Sequence, residues 1–206
     1  MSPKLIDKEE RKKQIALVAL DLFAEKGFET TSISEVAKAA GIGKGTVYEY
    51  FSSKEELTLT AFMAWIEGMM EPGLEEMLLS VDDPEQRLRL LVQGMMEAFV
   101  SDERVIKLTV LMFQLILSNE ALLQNEQVNK MFRGLRKLLS DILLEGIAQG
   151  VFRPESARDI KKITINLFAY LDGIGFHYFM SKNEFDLMEQ VNFYLDRLMK
   201  DLRISE

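Results

Sequence analysis

Apolar residues at Ile15, Ala19, Leu22 and Phe23 recur at helical spacing, and the pattern predicts a helix from about Lys8 to Lys26 with Gly27 as its C-terminal cap. Val36, Ala37 and Ala40 predict a shorter second helix. Ser32 and Glu35 form a capping box that opens it, and Gly41 closes it. Ser53 and Glu56 read as a second box opening a helix toward Pro72, and a short apolar stretch runs from there through Leu79. Asp83-Pro84 starts a helix reaching about Val100, and another is expected from about Glu103 to Ser118. Asn119 is read as the cap of a longer helix ending at Gly150, Ser156 as the cap of one through about Met180, and a last amphipathic helix covers about Asp186 to Leu202. The expected fold class is therefore all-α.

One stretch breaks the pattern. In GIGKGTVYEYF (41–51), the TVYEYF half alternates β-branched and aromatic residues as a strand would. A strand needs a partner, however, and no second candidate exists in a chain otherwise full of helical period. Read as a third helix capped by Gly43, Val47 and Phe51 fall i,i+4 on one face and pack inward. Lys44, Thr46, Tyr48, Glu49 and Tyr50 are left outside, where hydroxyls and an ammonium suit phosphates and base edges. Two short helices joined by a glycine turn, the second with a polar outer face, make a helix-turn-helix whose second helix enters the major groove.

Charge at first argues against this, because the 206-residue chain has a net charge of -8. Residues 1–60 carry 9 Lys+Arg and 10 Asp+Glu, the remainder 16 and 23, so the acidity lies mostly in the C-terminal part. A near-neutral segment still presents a basic face if its cations cluster. The chain has no cysteine, which excludes disulfides and thiolate metal sites and fits a reducing cytoplasm. No stretch approaches the ~20 uncharged apolar residues that span a bilayer, so no membrane association is expected.

The run TSISEVAKAAGIGKGTVYEYFSSKEEL (31–57), with Gly27 and Phe28 before it, closely resembles the DNA-binding motif of TetR-family transcriptional regulators. The motif match covers roughly residues 10–60; beyond it the resemblance is one of architecture and length. It implies an N-terminal helix-turn-helix domain (1–52) and a larger helical effector-binding and dimerisation domain (53–206). It places Lys44, Gly45, Thr46, Tyr48 and Tyr50 on the recognition helix and Lys54 on a phosphate, with Ser32 and Ser34 where relatives touch backbone or bases. Gly43 replaces the serine common at that cap, a slight weakening. Glu49 either accepts from a cytosine amino group or points sideways to solvent.

Lys54 stands out for another reason. A cation in the first turn opposes the helix dipole, at roughly 0.3–1 kcal/mol. Either a DNA phosphate at that terminus favours it, or it is a solvated lysine offset by Glu55 and Glu56. The cluster Lys4, Lys8, Arg11, Lys12 and Lys13 has a similar choice between tracking a phosphate backbone and forming a solvated helix start with Asp7, Glu9 and Glu10.

Later segments carry two expectations. VIKLTVLMFQLIL (105–117) is apolar nearly all round and should be buried on most sides. The stripes Ile160, Ile163, Leu167, Leu171, Ile174 and Val191, Tyr194, Leu195, Leu198, Leu202 suit a homodimer through the last two helices, with Gly173 and Gly175 permitting close helix contact or marking a kink beside a cavity. An apolar effector pocket is expected around Trp65, Met69, Met95, Phe99 and Phe113, with Gln114, Asn166, Asp172 and His177 as polar groups needing partners if buried. The alternative reading for each of the apolar set is plain core.

The function expected is a dimeric repressor on an inverted-repeat operator, released by a small-molecule effector, with the helix from Ser53 as the lever between domains. The alternative is a helical ligand-binding or scaffolding protein with a non-functional head, against which the intact set of Lys44, Tyr48, Tyr50 and Lys54 argues. No catalytic residues, cofactor or metal are expected, because histidine occurs once and no phosphate loop, metal spacing or nucleophile motif is present.

Overall fold

A computed structural model of the chain describes residues 8–69, 72–101, 103–119, 122, 124–181 and 184–204. Ten α-helices occur among them: α1 Lys8–Lys26, α2 Ile33–Ala39, α3 Lys44–Tyr50, α4 Lys54–Met69, α5 Pro72–Leu79, α6 Pro84–Ser101, α7 Glu103–Ser118, α8 Glu126–Ala148, α9 Ile160–Met180 and α10 Leu187–Leu202. No strand is formed by the described residues beyond an isolated bridge between Phe152 and Arg203. TVYEYF is helical through Tyr50.

Packing divides the helices into two compact units. α1–α4 and α7 form one; α5, α6, α9, α10 and α8 from Asn129 onward form the other. In the first, Ile15, Ala16, Ala19 and Phe23 of α1 share a core with Val36, Val47, Phe51, Leu57, Ala61 and Leu108. α7 is buried or half-buried around most of its circumference and open along one strip, where Leu117 is 75% exposed and Phe113 is also exposed. Val105, Ile106, Leu108, Met112 and Leu115 are buried, and Val110, Leu111 and Ile116 are half-buried beside them.

The second unit centres on Leu88, Leu91, Leu139, Leu143, Phe152, Leu167, Leu171, Val191 and Leu195. The α9 and α10 stripes that the sequence offers as a dimer seam are thus largely core of the chain itself. Gly175 permits close helix contact within the unit: a Cβ there would lie 3.2 Å from the Phe99 ring. Gly173 has no neighbour that would need such room.

Two caps differ from their sequence reading. α8 begins at Glu126, where Asn125 accepts from the Val128 N–H at 3.2 Å, rather than at Asn119. Ser156 lies inside a 3-10 turn (Pro154–Asp159), and α9 starts only at Ile160.

Glu85, at the start of α6, is buried and accepts from Arg203 at 2.6 and 2.7 Å and from Arg89 at 3.0 Å. Burial alone would raise its pKa, but the two arginines outweigh it and hold the carboxyl below its ordinary value of 4.5. A carboxylate with a depressed folded pKa contributes stability that is fully present above the unfolded value and is lost as pH falls below it. Acid titration from pH 7 to 3, followed by thermal denaturation, is therefore expected to lower Tm steeply below about pH 4.5. Glu85→Gln should flatten that fall while lowering Tm at neutral pH; a parallel profile would show that Glu85 does not contribute to it.

Candidate nucleic-acid interface

The geometry of the first unit starts from its turns. Ser32 Oγ accepts from the Glu35 N–H at 3.2 Å, and the Glu35 carboxylate returns to the Ser32 N–H at 2.9 Å, completing the capping box. Lys26 donates to the same carboxylate at 2.8 Å, and that bond, followed by those from Ser32, lowers the Glu35 pKa to about 2. At the other end of α2, Gly41 takes φ +68°, and the Ile42 N–H reaches the Ala37 carbonyl at 2.9 Å. That left-handed residue turns the chain into α3.

α3 is anchored by Val47, which is fully buried, and by Phe51 just past its end. Lys44, Gly45, Tyr48 and Glu49 are exposed, Tyr48 at 53%. Thr46 and Tyr50 are half-buried, and Tyr50 packs partly against the core. The helix therefore presents an ammonium, a glycine, a phenol and a carboxylate outward. Ser34 is exposed at the start of α2, while the Ser32 hydroxyl is engaged in its cap.

Lys54 is placed differently from the others. Its ammonium donates to the Phe28 carbonyl and lies 4.2 Å from the Phe28 ring centroid and 5.8 Å from that of Phe23. These contacts supply the stabilisation that its unfavourable place in the α4 dipole calls for. The N-terminal cations also divide. Lys12 pairs with Glu56 at 3.0 Å and Lys13 with Glu67 at 3.4 Å, Arg11 donates to Gln14, and Lys8 is exposed; Lys4 lies outside the described residues.

Glu56 is the residue whose role the sequence did not reveal. The Glu56 N–H does bond to Ser53 Oγ at 3.1 Å, but the carboxylate goes to the Ser52 N–H and hydroxyl rather than back to Ser53. Its pairing with Lys12, 44 positions away, leaves no local signal.

The expected effector residues do not form one buried group. Trp65 is half-buried against the first core, and the Met69 side chain lies outside the described residues. Met95 and Phe99 are half-buried against the second core. Phe113, Gln114, Asn166, Asp172 and His177 are exposed, so the polar four do not require buried partners. They sit on outward faces of α7 and α9, where an apolar run says nothing about which side a polar residue takes.

Gly45 offers a clean test of close approach. A Cβ there would meet nothing within 4 Å, so Gly45→Ala is expected to stabilise the first unit by roughly 0.5–1 kcal/mol in thermal or urea unfolding. If the α3 backbone lies against DNA, the same methyl should weaken operator binding. Unchanged binding would show that residue 45 stands clear.

Comparison with known proteins agrees with this architecture. The pattern of bacterial regulatory proteins of the tetR family matches residues 15–61, and that of the YsiA-like protein C-terminal region matches residues 62–201. The fatty acid metabolism regulator protein of Bacillus subtilis is 25% identical over 189 residues, covering 92% of this chain and 94% of the relative. The transcriptional repressor KstR2 of Mycobacterium tuberculosis is 29% identical over 153 residues, covering 73% of each. The crystal structure of FadR from Bacillus subtilis in complex with stearoyl-CoA superposes with a TM-score of 0.76 at 26% identity, covering 91% of this chain and 97% of that one.

Proposed function

Because the chain belongs to the TetR family and is a DNA-binding transcriptional regulator rather than an enzyme, we propose that it is a dimeric repressor of an inverted-repeat operator, released by a long-chain acyl-CoA. The observation that carries the DNA half is α3 itself: Val47 and Phe51 bury one face, and Lys44, Gly45, Thr46 and Tyr48 are offered to a groove. Ser34 and the exposed Lys8 supply backbone contacts. Residues 1–52 act as the reading head and 53–206 as the effector and dimerisation part, a division by role. Lys54 holds the turn before α2 and contributes to DNA binding through that turn.

The dimer forms through the outer faces of α9 and α10. Ile165, Ala169, Asp172, Phe176 and Met180 recur at three- and four-residue spacing on α9; Phe176 is 55% exposed and Met180 65%, and Phe193 adds an exposed ring on α10.

For the effector, the likeness to a regulator bound to stearoyl-CoA supports an apolar acyl chain, with half-buried Met95 and Phe99 of α6 as its contacts in the second unit. Effector binding favours a conformer with misplaced heads, so DNA must weaken effector binding by the same factor. Among the described residues no helix is long and apolar enough to cross a membrane, and a cytoplasmic regulator fits that reading.

Selection from random duplex DNA, followed by titration of the complex with stearoyl-CoA, coenzyme A and stearate, tests both halves. One enriched inverted repeat, released by stearoyl-CoA alone, is the expected result. An operator that none of the three releases would overturn the effector assignment and leave the repressor standing.

A further inference from the structure

A single carboxylate of α4 holds both a residue of α1 and the segment that directly follows α3. Glu56, in the first turn of α4, accepts from the Ser52 N–H at 2.8 Å and the Ser52 hydroxyl at 2.7 Å through one oxygen, and from Lys12 of α1 at 3.0 Å through the other. Ser52 follows Phe51, the residue at which α3 leaves helical geometry (φ −134°, ψ 127°). The Lys12 ammonium lies 5.3 Å from the Phe51 ring centroid, so it faces both the carboxylate and the aromatic anchor of α3.

The two ends of α3 are held unequally. Gly43 at its N-terminus makes no side-chain cap bond. Its middle is fixed by Val47, which positions the helix without setting its direction. Its C-terminal end is tied through Ser52 to a carboxylate that belongs to α4 and is neutralised from α1. Bonds to an ionised acceptor are the stronger kind and are directional. Desolvation works to raise the Glu56 pKa, but the Ser52 and Lys12 bonds together keep it lowered and the group ionised at neutral pH.

We infer that Glu56 is a positioning residue through which α4 sets the pose of the recognition helix, with Lys12 as its counter-charge rather than a phosphate contact. This rests on the reading of α3 as the DNA-reading helix. Base readout demands that Tyr48 be placed within hydrogen-bonding tolerance, whereas attraction to phosphates tolerates a shifted helix. Loss of the Glu56 contacts therefore acts on the ratio of specific to random-sequence binding. The Lys26–Glu35 pair provides an internal control, since it ties α2 to α1 and does not touch α3.

The test compares Glu56→Ala, Glu56→Gln, Lys12→Met and Lys26→Met in full-length protein. It reads affinity for the selected operator and a random duplex across a salt series, and amide exchange of α3. Glu56→Ala is expected to lower the operator-to-random ratio about tenfold, the scale of losing charge-assisted hydrogen bonds. Exchange of the α3 amides should quicken while those of α2 hold. Glu56→Gln keeps an acceptor for Ser52 and should fall between Glu56→Ala and wild type. Lys12→Met should lower the ratio with the salt slope unchanged, and Lys26→Met should change neither α3 exchange nor the ratio.

Four results would overturn the inference: a wild-type ratio in folded Glu56→Ala, an equal loss on both duplexes, α3 exchange unchanged in Glu56→Ala, or a salt slope reduced by about one in Lys12→Met, which marks a phosphate contact. If Glu56→Ala does not fold, Glu56→Gln and Lys12→Met carry the same comparison. Wild-type protein that prefers no sequence would refute the DNA reading instead. The quickened α3 exchange would then still establish the contact as what holds that helix.

Discussion

Replacing Lys44 and Tyr48 together by alanine is expected to weaken binding to the selected operator by about a hundredfold or more, since a good base contact is worth roughly 1–3 kcal/mol. Both side chains stand on the exposed face of α3, away from Val47 and Phe51, and alanine is at least as good a helix former as either. Thermal stability should therefore hold within about 0.5 kcal/mol. The two contributions separate by salt and sequence. Loss of a phosphate contact at Lys44 lowers affinity for every duplex and reduces the salt slope by about one, whereas loss of base readout at Tyr48 weakens operator binding and spares random DNA. A folded double variant with wild-type operator affinity would remove α3 from the interface and favour a helical binding protein with an idle head.

The head was legible because its signals are local. Gly27 and Gly41 adopt φ +90° and +68° at the ends of α1 and α2, and Ser32 with Glu35 closes a capping box within four residues. Each of these can be read from a short window, because a glycine or a capping side chain acts on backbone groups next to it. The long helix does not start after Asn119 as its composition suggests: α8 begins at Glu126, with Asn125 accepting from the Val128 N–H. Ser156 likewise opens no α-helix, because a 3-10 turn from Pro154 occupies the residues it was expected to cap.

The site was legible only as far as one helix face determines it. The i,i+4 pair Val47 and Phe51 fixes which residues of α3 point out, so Lys44 and Tyr48 follow directly. Lys54 and Glu56 depend on Phe28, Ser52 and Lys12, and two of those three partners lie beyond the reach of helical periodicity. The inward and outward stripes of α9 are hard to tell apart in sequence for a related reason. With Leu167 and Leu171 on one side and Phe176 and Met180 on another, an apolar helix does not say which stripe its own chain covers.

The second large effect is expected at the join of α8 and the C-terminal end. Phe152 is 0% exposed, and Phe152→Ala should destabilise the protein by about 3–5 kcal/mol, the usual cost of emptying a buried aromatic site. Gly146→Ala adds one methyl group on the facing helix, where its Cβ would lie 2.2 Å from the Phe152 ring. The ring has little freedom to retreat. The Val151 and Phe152 N–H groups both bond to the Gly146 carbonyl, at 2.8 and 3.0 Å, and the Arg153 N–H is held by Leu202 at 2.8 Å. Overpacking of this kind should cost about 1–3 kcal/mol in urea unfolding. The decisive measurement is the double variant: in a Phe152→Ala background the added methyl meets an emptied site, so its penalty should vanish or reverse. Additive losses would place the cost of Gly146→Ala in the α8 backbone. A coupling of more than about 1 kcal/mol would locate it in the packing of helix against ring, where the bridge from Phe152 to Arg203 also brings in the ion pair with Glu85.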